Sequence, residues 1–195
     1  MLNRFVEYIS KYISLSEEEI QAISKTIQIR ESKKGTVLLR EGQIAREGYF
    51  ILKGCIRKYT IVRGEEKSTN FFTEEEWVAS PQSYSGKVPS DHYLTCVEDC
   101  SLIVGNQQTE QEFYSLYQRF PRLEVLTRTV MENEISKYQE MLSTFKSDTP
   151  EERYLKLIQT RPELFQRVPL HQLASFIGVK PESLSRIRKR LMNKQ

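Results

Sequence analysis

Histidine and cysteine are scarce here, with two and three residues respectively among 195. Metal chemistry on a β-barrel wants several histidines beside a carboxylate, and only His92 and His171 are present. Cys55, Cys96 and Cys100 are one too few for a four-cysteine iron–sulfur cluster. His92, Cys96 and Cys100 do form an HxxxCxxxC pattern. On a strand, residues four apart share a face but lie roughly 13 Å apart, too far to meet on one ion. Buried, unmodified thiols are the better reading. No nucleophile–base pair and no glycine-rich phosphate loop is visible either, so an enzyme is not expected, nor a metal or other cofactor. Long apolar runs are also missing, so nothing reaches the ~20 residues that span a bilayer. Arg4, Glu7 and Lys11 break up the apolar residues of the N-terminus, unlike a secretory signal. An odd cysteine count without an export signal implies reduced thiols. These absences predict a soluble cytoplasmic protein that is not an enzyme.

What is present is unevenly distributed. From Pro150 onward there are ten basic residues and four acidic ones, a net of +6. The whole chain carries only +3, so the preceding 149 residues are net −3. A positive module on a slightly negative body suits a phosphate-seeking element attached to a sensor.

The body divides by periodicity. Leu2, Phe5, Val6, Ile9 and Ile13 form an apolar helical stripe, and Ser16 with Glu19 makes a capping box for a second helix ending near Ile29. Lys34 to Gly105 is strand-rich, with short runs such as TVLL, YFIL and CIRKYTIV punctuated by glycines. With no long helix between them, these strands predict a sandwich or small barrel. From Thr109 the pattern is helical again, and Pro121 divides a short helix from a long one. In the long helix Met131, Ile135, Tyr138, Leu142 and Phe145 step by four and three, a coiled-coil seam. Leu123, Leu126 and Val130 run one position out of phase with it. The stripe can pair two subunits or pack on its own barrel. A hinge then leads to a new helix, capped by Asp148 or Thr149 with Pro150 in its first turn.

The most informative segment is PLHQLASFIGVKPESLSRIRKRL, residues 169–191. Leu170, Leu173, Ala174 and Ile177 have helical spacing and run into Gly178, which can turn sharply at positive φ. Pro181 opens a second helix whose apolar positions are Leu184, Ile187 and Leu191. Its outer face carries Glu182, Ser183, Arg186, Arg188, Lys189 and Arg190. Two short helices about a tight turn, the second basic outside, make a helix-turn-helix DNA reader. The competing reading is a surface hairpin with a solvated basic face.

The run KGTVLLREGQIAREGYFILKGCIRKYTIVRGEEKS resembles the opening of a cyclic-nucleotide-binding jelly roll, through Gly35, Glu41–Gly42 and the Phe50-to-Gly54 segment. Together with the reader, the chain resembles the Crp/Fnr family of bacterial transcription regulators along nearly its whole length. The resemblance implies an α+β fold: N-terminal helices, a double-stranded β-helix (jelly roll), a long dimerisation helix and a C-terminal helix-turn-helix. The implied divisions are a sensor domain at 1–120, a dimerisation helix and hinge at 121–147, and a DNA-binding domain at 148–195. It implies a homodimer on a palindromic operator in double-stranded DNA, a small-molecule effector, and RNA polymerase as a further partner.

In that family a Glu and an Arg one turn apart on the recognition helix read bases, and they correspond to Glu182 and Arg186. Arginine offers two donors to guanine and glutamate accepts from cytosine. An intrahelical salt bridge between the two is the alternative, and both can hold. His171, Lys180 and Ser183 fall where the family contacts the DNA backbone, with Arg188 and Lys189 adding to these.

The chain also departs from the family. Lys180 stands at the N-cap position, where Ser or Thr is preferred. Gln195 follows Leu191 by only four residues, so no β-hairpin wing is expected. The Gly-Glu pair for the ribose falls at Ala79–Ser80, and the phosphate-binding Arg-Ser pair at Ser90–Asp91. No arginine lies between Arg63 and Arg119, and Pro81 removes a backbone donor from the phosphate turn. Cyclic AMP binding is therefore not expected. A second function class stays open, an effector-binding adaptor of the same fold that has lost specific DNA binding.

Overall fold

The computed structural model describes residues 2–192, and of these the side chains of residues 2, 137–138, 140–147 and 192 lie outside the description. Two helices, α1 (Leu2–Ser10) and α2 (Glu17–Thr26), come first. Ser16 and Glu19 form the expected capping box on α2. The second helix ends sooner than its sequence suggested, because Gln28–Ser32 is already strand β1. Seven further strands follow: β2 (Val37–Leu39), β3 (Glu47–Lys53), β4 (Ile56–Val62), β5 (Glu65–Phe72), β6 (Trp77–Val78), β7 (Tyr93–Cys96) and β8 (Cys100–Asn106). A short helix, α3 (Pro81–Gly86), interrupts them between β6 and β7.

The strands form two antiparallel four-stranded sheets, ordered β1-β8-β3-β6 and β2-β7-β4-β5. Leu39, Tyr49, Ile51, Ile56, Phe72, Leu94 and Leu102 fill the space between them. This is the jelly roll. Alternate residues of β3 face opposite ways, yet Tyr49, Phe50, Ile51 and Leu52 are all buried. Helices cover the outside of the first sheet, where Phe50, Leu52 and Ile103 pack on Phe5, Tyr8, Ile23, Leu116, Leu123, Leu126 and Val130. A strand buried on both faces reads as a continuous apolar run, which explains YFIL.

After β8 come α4 (Gln107–Arg119) and the 27-residue α5 (Pro121–Ser147). Leu123, Leu126 and Val130 face the barrel, whereas Met131 and Ile135 are 61% and 58% exposed. Of the remaining seam positions, Tyr138, Leu142 and Phe145 have side chains outside the described residues. The slip in phase near Val130 therefore marks where the helix leaves its own barrel. The last unit comprises α6 (Pro150–Thr160), α7 (Leu164–Arg167), α8 (Leu170–Ile177) and α9 (Pro181–Met192). Thr149, not Asp148, caps α6, in a capping box with Glu152.

Candidate nucleic-acid interface

Helices α8 and α9 meet about Gly178, whose φ of +86° is left-handed and costs an L side chain strain. The amides of Gly178 and Val179 both return to the carbonyl of Ala174, at 3.0 and 2.9 Å, which closes α8. Ala174 and Leu184 are fully buried where the helices cross. Arg153 of α6 donates to the carbonyls of Ile177 and Asp148, tying the turn to the hinge.

With Leu184 fully buried and Ile187 and Leu191 half-buried, α9 leaves Glu182, Arg186, Arg188 and Lys189 exposed. His171 and Lys180 are exposed as well, and Ser183 is half-buried. Arg186 donates to the Ser183 hydroxyl at 3.1 Å. That contact, rather than a salt bridge to Glu182, is the one the guanidinium makes among the described residues. Arg190 turns away to pair with Glu151. Lys180 lies close enough to Glu65, at the tip of the β4–β5 hairpin, to help hold that carboxyl below its ordinary range, after the larger effect of Lys67.

The helix-turn-helix does not hang free of the barrel. Cys55, Phe71 and Val97, on the outside of the second sheet, share one core with Tyr154, Leu157, Leu164, Leu173, Phe176 and Ile177. Phe71 and Phe176 meet edge to face with ring centroids 5.5 Å apart. The Ser175 hydroxyl accepts from the amide of Ser68 and donates to the carbonyl of Glu66. Arg161 reaches the carbonyl of Phe71 at 2.7 Å and the hydroxyl of Thr73 at 2.9 Å. Arg167 binds Glu74 through two nitrogens, at 2.8 and 2.9 Å, and also binds Glu98. These docking arginines were missed from sequence. The available signal was the acidic run Glu74 to Glu76, opposite in charge to the C-terminal module.

In the barrel, protein contacts surround the positions that the sequence resemblance matched to nucleotide-binding pairs, Ala79–Ser80 and Ser90–Asp91. Ser80 precedes α3 without using its side chain as a cap. The Ser90 amide donates to Gln43, its carbonyl accepts from Gly42, and its hydroxyl donates to the carbonyl of His92. The Ser83 hydroxyl accepts from Ala45 and donates to Val88. Ala79 lies against Gly48, where an added Cβ would stand 3.4 Å from its own. Asp91 points outward and its carboxylate sits 2.6 Å from Nδ1 of buried His92. The carboxyl of Asp91 is held below its ordinary range by that histidine, while burial lowers the pKa of His92. Burial likewise lowers the pKa of Lys58, against the opposing charge of Asp91. No group of three or more metal-ligating side chains occurs among the described residues. Among these residues, no helix is long and apolar enough to cross a membrane.

Residues 29–119 match the family described as the cyclic nucleotide-binding domain. That stretch is the barrel of this chain, from β1 to the end of α4, and the chain's fold is Crp/Fnr-like. Its fold is shared with the c-di-GMP-responsive global regulator CLP of Xanthomonas campestris, with a TM-score of 0.68 and 19% identity over 92% of this chain and 93% of that one. FixK2 from Bradyrhizobium japonicum matches with a TM-score of 0.63 and 14% identity, over 86% of this chain and 85% of that one. The catabolite activator protein of Thermus thermophilus matches with a TM-score of 0.52 and 17% identity, over 94% and 86%. No curated protein matches by sequence.

Proposed function

We propose that this Crp/Fnr-like protein is a sequence-specific DNA-binding transcription regulator, acting in the cytoplasm as a homodimer on a palindromic operator. The observation that carries this reading is the division of α9 into a buried apolar edge at Leu184 and a free edge bearing Glu182 and Arg186. Glu182 and Arg186 read base edges, and His171, Lys180, Ser183, Arg188 and Lys189 hold the backbone. The three-part division at 1–120, 121–147 and 148–195 serves sensing, pairing and reading. RNA polymerase is the partner through which a bound dimer acts on transcription.

The effector is a small molecule other than cyclic AMP. Support comes from the self-satisfied turn at Ser83 and Ser90, the lack of any arginine from residue 64 to 118, and the aspartate that replaces a phosphate-binding partner. Selecting bound sequences from random DNA tests the regulator reading: enrichment of an inverted repeat is expected. Salt-dependent binding without any enriched sequence would instead support an adaptor that has lost specific DNA recognition.

A further inference from the structure

A cleft of about 740 Å³ opens where the loop between β2 and β3, the end of α3 and the start of α4 meet. Sites for small molecules measure roughly 300–1,000 Å³, so the size is right for one. Ile44, Ala45 and Tyr84 supply its apolar lining, and Arg46 and Lys87 bring two cations. No acidic residue lines it, since Glu110 in the first turn of α4 is not part of its wall. Ala79, Ser80, Ser90 and Asp91 are not part of it either, so this is a different place from the cyclic-nucleotide corner.

The walls are fixed by the chain itself. The Ser83 hydroxyl ties α3 to the amide of Ala45 at 2.8 Å, and Asn106 closes the first turn of α4 by accepting from the amides of Gln108 and Thr109. The two cations are held without being neutralised. Lys87 ends α3 with a left-handed φ of +53°, a conformation that glycine or asparagine takes with less strain. From there its ammonium lies 4.9 Å from the centroid of the Tyr84 ring. Among the described residues neither Arg46 nor Lys87 has an ion pair, whereas Arg30, Arg57, Arg122, Arg161 and Arg167 all do. The side-chain amides of Gln107 and Gln111 likewise have no hydrogen bond among those residues. Two like charges on one cleft repel each other, and a bound anion relieves that repulsion.

We propose that this cleft binds a small organic anion, with its carboxylate or phosphate group at Arg46 and Lys87 and its apolar body against Ile44 and Tyr84. Arg46 offers a planar pair of donors to two oxygens of such a group, and Lys87 adds a point charge. The positive end of the α4 dipole acts in the same sense. Gln107 and Gln111 are left to recognise polar atoms on the body. The assignment rests on the reading of the chain as a regulator that answers to a small molecule, and it gives that molecule a charge and a place.

The test titrates the full chain, without DNA, with phenyl phosphate and follows backbone amide resonances by NMR. Inorganic phosphate and phenol serve as the two halves of the probe. Saturable shifts are expected at Ala45, Arg46, Lys87 and Gln107, larger than any at Asp91 to Tyr93. Phenyl phosphate should bind about tenfold more tightly than either half. Arg46→Gln combined with Lys87→Asn should weaken it by about tenfold or more, while Lys53→Gln, at an exposed lysine outside the cleft, should leave it unchanged. Asparagine suits the left-handed backbone at position 87, so weaker binding in that variant does not report a damaged fold. Absence of saturable shifts, phenol binding as tightly as phenyl phosphate, shifts centred on Asp91 to Tyr93, or undiminished binding by the double variant would each overturn the proposal. An inverted repeat enriched from random DNA together with an empty cleft would sink this inference alone. A filled cleft with no enriched sequence would sink only the DNA-binding reading.

Discussion

Arg186 and Lys189 stand on the same helix and carry the same charge, yet different chemistry is expected of them. Arg186 is held by Ser183 at 3.1 Å, its one hydrogen bond among the described residues, and its planar fork matches the two acceptors of guanine. Arg186→Ala is expected to lose roughly 1–3 kcal/mol on the operator and relax one base pair per half-site, with much less loss on scrambled DNA. Lys189→Ala should weaken both DNAs about equally and lower the salt slope by about one unit. Binding to operator and scrambled DNA across a salt series measures both. Equal losses on the two DNAs for Arg186→Ala would reduce it to a phosphate contact. A second prediction concerns Glu19, which is buried and takes two hydrogen bonds from Arg122, at 2.6 and 2.5 Å. That guanidinium, more than any other group, holds the Glu19 carboxyl at about 2, below its ordinary 4.5. A depressed acid contributes stability fully above its unfolded value and loses it as pH falls through the folded one. Acid unfolding should therefore begin as pH drops from about 4.5 toward 2, and Arg122→Ala should move that limb to higher pH. An acid limb unmoved in Arg122→Ala would remove the pair from the account. Arg186 was legible in the sequence because a solvent-facing polar residue on a periodic helix declares its face. Arg161 and Arg167 were not, because their partners lie as many as 93 residues away.

At the scale of elements, legibility followed the apolar pattern. The helix-turn-helix, the capping boxes at Ser16 and Thr149, and strands β3 and β4 all follow from local periodicity and capping chemistry. Strand β1 does not, since QIRES is polar and its one apolar residue, Ile29, is 43% exposed. It pairs only with β8 at a sheet edge, so no alternation marks it. The candidate effector corner lies between these extremes: its missing arginine is plain in the sequence, but its internal hydrogen bonds are not. With Ser90 and Ser83 bonded to chain neighbours, a cyclic phosphate would have to displace those bonds, with no arginine there to meet its charge. Calorimetric titration with cyclic AMP or cyclic GMP should show no binding at micromolar concentration. Micromolar affinity for either would mean that α3 reorganises around the ligand, and the reading of this corner would be wrong.

At the scale of the molecule, three apolar cores decide what is fixed and what is left to a partner. One fills the barrel, one sits under α1, α2, α4 and α5, and one joins the reader to the second sheet. The third core and the Arg161 and Arg167 contacts hold the reader at a set position on its own barrel. In a two-fold dimer, two readers so held present recognition helices at a fixed separation, and less ordering entropy is lost on binding DNA. The surface proposed to pair the barrels is the part of α5 beyond Val130, where Met131 and Ile135 stand exposed on the stripe that continues to Tyr138, Leu142 and Phe145 in the sequence. An exposed apolar stripe in step with a heptad costs solvation in a monomer and is relieved by a second copy. Light scattering at micromolar concentration should therefore give twice the chain mass, and Ile135→Glu should halve it. Half-sites of the selected operator should lie about one helical turn apart, ~34 Å. Ile135→Glu should then bind a single half-site as well as the unsubstituted chain does, while losing the gain from the second half-site. A monomer at these concentrations with and without DNA would refute the pairing role of α5. A dimer that survives Ile135→Glu would move the interface to another face.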